Sequence, residues 1–230
     1  LEGNGMHLAP GAIDCHSHMA IHGGINEGTE SITIDCDISD EVDADDVAIY
    51  RALAGGTTAA RLLHGSANTI GGRHEVIKLK VGRTEDELRF PGAREGVKFA
   101  LGENVKRSNS GFGRGGDRRF PATRMGVETV LLRAFERAQE YRAEWQAYDD
   151  AVARGEDPAP PRRDIRLDGL VGVLEHEIDV HSHCYRADEI LMLLRTAEHS
   201  GFRVRTLQHV LEGYKVAWEI AQHGAGPSTF

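Results

Sequence analysis

Two hydrophobic periods alternate along this chain. Between Ala122 and Ala153, the residues Val127, Val130, Leu131, Ala134, Ala138, Tyr141 and Trp145 recur at three- and four-residue steps. That spacing predicts one long helix whose apolar stripe packs on a core. Shorter stretches with the same period run from Asp45 to Ala54, Asp164 to Glu175, Asp188 to Ser200 and Tyr214 to Gln222, and Gly55-Gly56 and Gly201 supply stops. Between them lie β-branched and apolar runs that read as strands. The first ends at His16 and His18, and the others span Thr57 to Leu63, Val76 to Val81, Glu95 to Leu101, Ile178 to His181 and Arg203 to Leu207. Strand, helix, strand is the order of parallel βαβ units in an α/β fold. Ser31 to Ile34 reads as a short strand or extended loop. Ala67 to Arg73 and Gly224 to Phe230 read as loop.

The long Gly-, Arg- and Ser-rich stretch from Asn104 to Pro121 follows the fourth strand, where barrel enzymes carry active-site loops. Arg114, Arg118 or Arg119 could meet a substrate carboxylate there, against the plainer reading of a solvated loop.

Composition narrows the class. The 230 residues are enough for one sizeable core. With 27 basic against 36 acidic groups, the net charge of −9 argues against a general nucleic-acid or anionic-membrane binder. No apolar run reaches the roughly 18 residues of a membrane span. Cys15, Cys36 and Cys184 lack CxxC spacing, so neither a zinc ribbon nor a disulfide framework is indicated. The chain opens on Leu1 rather than Met, and no strand can be read after residue 207, which reads as a fragment of a longer protein. Neither its compartment nor its oligomeric state is written in the sequence, and a homo-oligomer stays open.

The chemistry concentrates in Pro10-Gly11-Ala12-Ile13-Asp14-Cys15-His16-Ser17-His18. Side chains two apart on a strand point the same way, so both imidazoles can meet one ion. Neutral imidazole suits zinc and other first-row divalent metals. A His-X-His pair alone is a common accident of solvated loops. The second His-rich strand end at His181-Ser182-His183 lifts this one above it.

This opening strand resembles that of the amidohydrolase superfamily, and the likeness continues through Ala54-Gly55-Gly56-Thr57-Thr58, Val97 to Asn104, Val180-His181-Ser182-His183 and Leu207-Gln208-His209. The resemblance implies a (β/α)8 TIM-type barrel, incomplete here with about six of eight βα units over residues 10–230. Residues 1–9 then resemble the remnant of a small preceding β-domain. The family's ligand pattern maps onto His16 and His18, onto His183 with His181 as its alternative, and onto His209. A bridging anion near the end of the fourth strand falls to Glu103, which needs no modification, or to Lys98, which would need carboxylation by CO2. One or two divalent ions, zinc foremost, are the implied cofactor. The family's catalytic aspartate follows its last strand, beyond this sequence, so the fragment alone is expected to be inactive. Asp14 is a poor substitute for it.

The resemblance implies hydrolysis of a C–N bond in an amide, peptide-like or cyclic amide small molecule. Its Gly-Gly-Thr-Thr and His-Ser-His matches are nearest the imidazolonepropionase-like branch. A deaminase on the same scaffold and a non-catalytic metal-binding barrel are the alternatives. His64 and Tyr185 join Arg114 as candidate substrate contacts, with packing as the plainer role for the first two.

Overall fold

A computed structural model describes residues 4–106 and 119–229. Parallel pairs dominate its two sheets. In the first, β1 (Ala12–Ser17) lies parallel to β2 (Thr57–Leu62), reached through α1 (Val47–Ala54), and β4 (Glu75–Lys78) runs antiparallel to β2. In the second, β3 (Ile70–Arg73) is antiparallel to β5 (Gly96–Ala100). The strands β6 (Asp179–Cys184), β7 (Val204–His209) and β8 (Gly226–Ser228) follow, each parallel to its predecessor. The helices are α2 (Glu85–Leu88), α3 (Arg124–Ala153), α4 (Ile165–Leu174), α5 (Ala187–Ser200) and α6 (Ala217–His223).

Several expectations need correction. The stretch from Ala67 to Arg73, read as loop, contains β3, and the expected strand from Val76 to Val81 is β4, shorter and antiparallel. Together β3 and β4 form one extended run with His74 at the joint, one half pairing with β5 and the other with β2. That run is how the chain passes from one sheet to the other. The tail after Gly224 is also not all loop, since Gly226–Ser228 adds β8 beside β7. Ser31 to Ile34 makes only an isolated bridge from Ile32 to Ile70. The described strands form two sheets and no closed barrel. Side chains nevertheless bring β1 back to the far sheet, with Cys15 Sγ 3.3 Å from Ser228 Oγ.

Local chemistry explains the helices. Asp46 caps α1 by accepting from the Ala48 amide, Asp164 caps α4 through the Arg166 and Leu167 amides, and Gly201 ends α5 at φ 84°. The stripe read in the sequence is the buried face of α3, where Val127, Leu131, Phe135 and Ala138 cover the second sheet. Phe135 stacks on Phe202 at 4.2 Å between ring centroids, and Phe99 from β5 meets both rings. A smaller core of Ile38, Ile49, Leu62, Ile77 and Leu88 backs the first sheet.

Candidate active site

Register assembles the site. In the second sheet Lys98 pairs with His181, Ala100 with His183, His181 with Thr206, His183 with Gln208 and Cys184 with His209. Lys98, His181, His183, Thr206 and Gln208 therefore share one pleat face in successive levels. The end of β1 brings His16 and His18 against that face.

Four histidines meet there. The His16 ring lies 5.0 Å from those of His18 and His209, and the His209 ring lies 4.7 Å from that of His183. Lys98 Nζ, fully buried, is 3.5 Å from His16 Nε2. Its charge has no carboxylate within ion-pair distance among the described residues, and burial lowers its pKa from 10.5 to about 7. Burial, followed by the Lys98 charge, lowers His16 to about 3; burial, followed by His209, lowers His183 to about 3. Burial lowers His18 and His209 as well. These imidazoles are neutral at pH 7.

Hydrogen bonds decide which nitrogens are unprotonated. His18 Nδ1 lies 2.8 Å from the Leu63 carbonyl, which can only accept, so Nδ1 holds the proton and Nε2 the lone pair. His16 Nδ1 lies 3.0 Å from Gln208 Oε1; donating to that oxygen, it leaves the lone pair on its Nε2 too. The two Nε2 atoms face one another at 3.2 Å. Two lone pairs at that distance repel unless a cation or a proton offsets them, so this donor set suits a metal ion. Among the described residues, no three His, Cys, Asp or Glu side chains are arranged as a ready metal cage. Asn104 Nδ2 lies 3.3 Å from His183 Nε2.

The remaining sequence candidates are placed as follows. His181 lies on the cluster's face but one level away, its Nδ1 2.7 Å from Thr206 Oγ1. Glu103 is exposed, its carboxylate 2.5 Å from Lys106 Nζ. Tyr185 flanks the cluster, its ring 4.5 Å from His183 and 5.5 Å from His209. His64 is buried with both nitrogens occupied: Nδ1 donates to the Gly65 carbonyl and Nε2 accepts from the Glu27 amide. That is a packing role. Asp14 accepts from the His16 amide. Arg119 spends its guanidinium on the carbonyls of Gly28, Glu30 and Ala67. Arg114 and Arg118 lie outside the described residues. Sequence reasoning did not single out Asn104, Thr206 or Gln208 as site residues. His209 and Val210 both take positive φ, at 65° and 41°, and strain of this kind gathers at functional sites.

The fold is similar to a crystal structure of an amidohydrolase from Thermotoga maritima MSB8, with a TM-score of 0.82 and 31% identity, over 96% of this chain and 57% of that one. The chain is similar to amidohydrolases. The amidohydrolase tasK of Hapsidospora irregularis is 27% identical over 235 residues, covering 94% of this chain and 23% of that protein. The amidohydrolase-like chain thus spans just over half of the first relative and about a quarter of the second. No family model matches it. Among the described residues, no helix is long and apolar enough to cross a membrane.

Proposed function

We propose that this chain carries the metal-binding part of a hydrolase that cleaves the C–N bond of an amide, peptide-like or cyclic amide, on a scaffold of the (β/α)8 type. The observation that carries this reading is the pair of Nε2 atoms on His16 and His18 facing each other at 3.2 Å beside Lys98, each ring's Nδ1 being held by a second partner. His16, His18, His183 and His209 would hold one or two divalent ions, zinc foremost. Bound there, such an ion lowers the pKa of a coordinated water toward neutrality and polarises a carbonyl. Leu63 and Gln208 orient two of the ligand rings by holding their second nitrogens.

Lys98 suits the anionic ligand better than Glu103. It is buried against His16, whereas Glu103 is exposed and paired with Lys106. A pKa of about 7 leaves much of the Lys98 amine neutral at physiological pH. A neutral amine adds to CO2 and releases one proton, and the carbamate so formed carries the negative charge. Tyr185 stands where a substrate beside His183 and His209 would touch it, and Arg114 is kept as a second substrate contact. The imidazolonepropionase-like branch remains the nearest by motif.

Zinc content of the dialysed chain tests the reading. About one or two ions per chain, lost in a His16→Ala/His18→Ala variant, are expected. A metal-free chain after expression with added zinc would overturn it.

A further inference from the structure

The unprotonated Nε2 of His16 depends on which way the Gln208 amide points. An amide has nearly the same shape either way round, and rotated by half a turn it would present its NH2 to His16 Nδ1. The imidazole proton would then move to Nε2, the nitrogen facing His18. Something must choose between the two.

The choice is made two residues away from any ligand. Gln208 Nε2 lies 2.7 Å from Thr206 Oγ1, and Thr206 Oγ1 lies 2.7 Å from His181 Nδ1. Arg61 Nη1 approaches the same Nδ1 at 3.4 Å. A guanidinium has only protons to give, so its approach favours an accepting His181 Nδ1 and puts the ring's proton on Nε2, which is buried and has no hydrogen-bond partner among the described residues. Thr206 therefore gives its single hydroxyl proton to His181, which leaves its oxygen to accept. The Gln208 NH2 fills that position, its carbonyl turns to His16, and His16 must hold its proton on Nδ1. The direction of the chain is set by Arg61, which cannot accept, against the cost of the unpartnered His181 Nε2–H. His181 and Gln208 are fully buried, so water cannot substitute for a missing partner.

We propose that His181 is a positioning residue which, through Thr206 and Gln208, fixes the proton of His16 on Nδ1 and so keeps Nε2 unprotonated. The inference rests on the metal reading only for its consequence in affinity, since the tautomer exists with or without an ion. His181 thereby acts through the ring of His16 rather than as an alternative ligand to His183.

The test is the imidazole ¹⁵N spectrum of His16 in the metal-free chain at pH 7, for the wild type, Thr206→Val, Thr206→Ser and His181→Phe. The wild type and Thr206→Ser are expected to show a protonated Nδ1 and an unprotonated Nε2, and Thr206→Val and His181→Phe a mixture of both tautomers. Zinc affinity should fall about 10- to 100-fold in Thr206→Val and recover in Thr206→Ser. If His181→Phe does not fold, the Val/Ser pair decides alone. A wild-type His16 with its proton on Nε2, or a Thr206→Val chain that loses stability while the His16 tautomer stays unchanged, would overturn the proposal. Absence of zinc binding in every variant, with the tautomers as expected, would remove the metal reading and leave the relay standing.

Discussion

Lys98 Nζ approaches His16 Nε2 to 3.5 Å inside the protein, a would-be ammonium against the lone pair of a histidine that burial keeps neutral. The contact is stabilising only while one proton is shared between them. It also means the cluster holds a lysine charge that no carboxylate among the described residues offsets within ion-pair distance. An amine in this position is poised either to stay neutral or to be converted into an anion.

Replacing Lys98 by Met should therefore stabilise the metal-free chain. The folded lysine has its pKa lowered to about 7 against 10.5 when unfolded, so between those values the unfolded state binds more protons. Wild-type stability should rise with pH through that window, and below it the full cost of burying the charge is present. Lys98→Met lacks this slope. Urea midpoints from pH 6 to 10 in CO2-free buffer should show a gain of about 1–3 kcal/mol at pH 7 that shrinks toward pH 10. Zinc binding should weaken in the same variant, so that stability and affinity move in opposite directions.

Acid should unfold the chain through its histidines. His16 and His183 fall to about 3 in the folded state from 6.5, so the unfolded state gains protons first as pH drops. Stability present above pH 6.5 is lost progressively toward pH 3. A His16→Asn/His183→Asn variant should show a flatter pH dependence of its thermal midpoint across that range. An unchanged slope would mean that other groups govern acid unfolding.

Parts of this arrangement were legible in the sequence for identifiable reasons. The α3 stripe is long and periodic, the β5, β6 and β7 runs are short stretches bounded by turn residues and helices, and the His16/His18 pair is local, so pattern alone finds them. β3 was hidden because Ile70-Gly71-Gly72-Arg73 has the composition of a turn. β8, only three residues of Gly-Pro-Ser, carries no periodic signal at all. Gln208 and Thr206 gave no cue as site residues, since a polar side chain in a strand says nothing about which histidine it will meet across the fold. The one available signal for Lys98 was a lysine inside the otherwise apolar run Val97 to Leu101, and neither its full burial nor the exposure of Glu103 can be read from charge.

The aromatic cluster behind β5 should dominate the stability of the second sheet. Phe135, fully buried, stacks on Phe202 and touches Phe99, so its removal opens a cavity among rings that cannot collapse independently. Phe135→Ala should cost about 3–5 kcal/mol, whereas Phe135→Leu, which keeps much of the volume, should cost less. Denaturant titration of both variants checks the order. Equal losses would show that ring stacking, rather than filled volume, sets the cost.

Gly71 tests why β3 looks like a loop. A Cβ there would sit 2.8 Å from His64 Nδ1 and 2.9 Å from the Lys98 carbonyl, so the glycine is required by close approach of a ring and of the neighbouring strand. Gly71→Ala must displace one or the other. If the ring yields, His64 loses its bond to the Gly65 carbonyl, and the accompanying cost should largely disappear in a His64→Ala background. If the backbone of β5 yields instead, the cost persists there and the Lys98 side chain shifts with it. The first outcome predicts a loss of about 1–3 kcal/mol for Gly71→Ala, strongly coupled to His64 in a double-mutant cycle, with zinc affinity retained. The second predicts weak coupling and a parallel loss of zinc affinity. The backbone carbonyl has the less freedom of the two, being held in a fully buried strand, so the side chain is expected to give way and the first outcome to be observed.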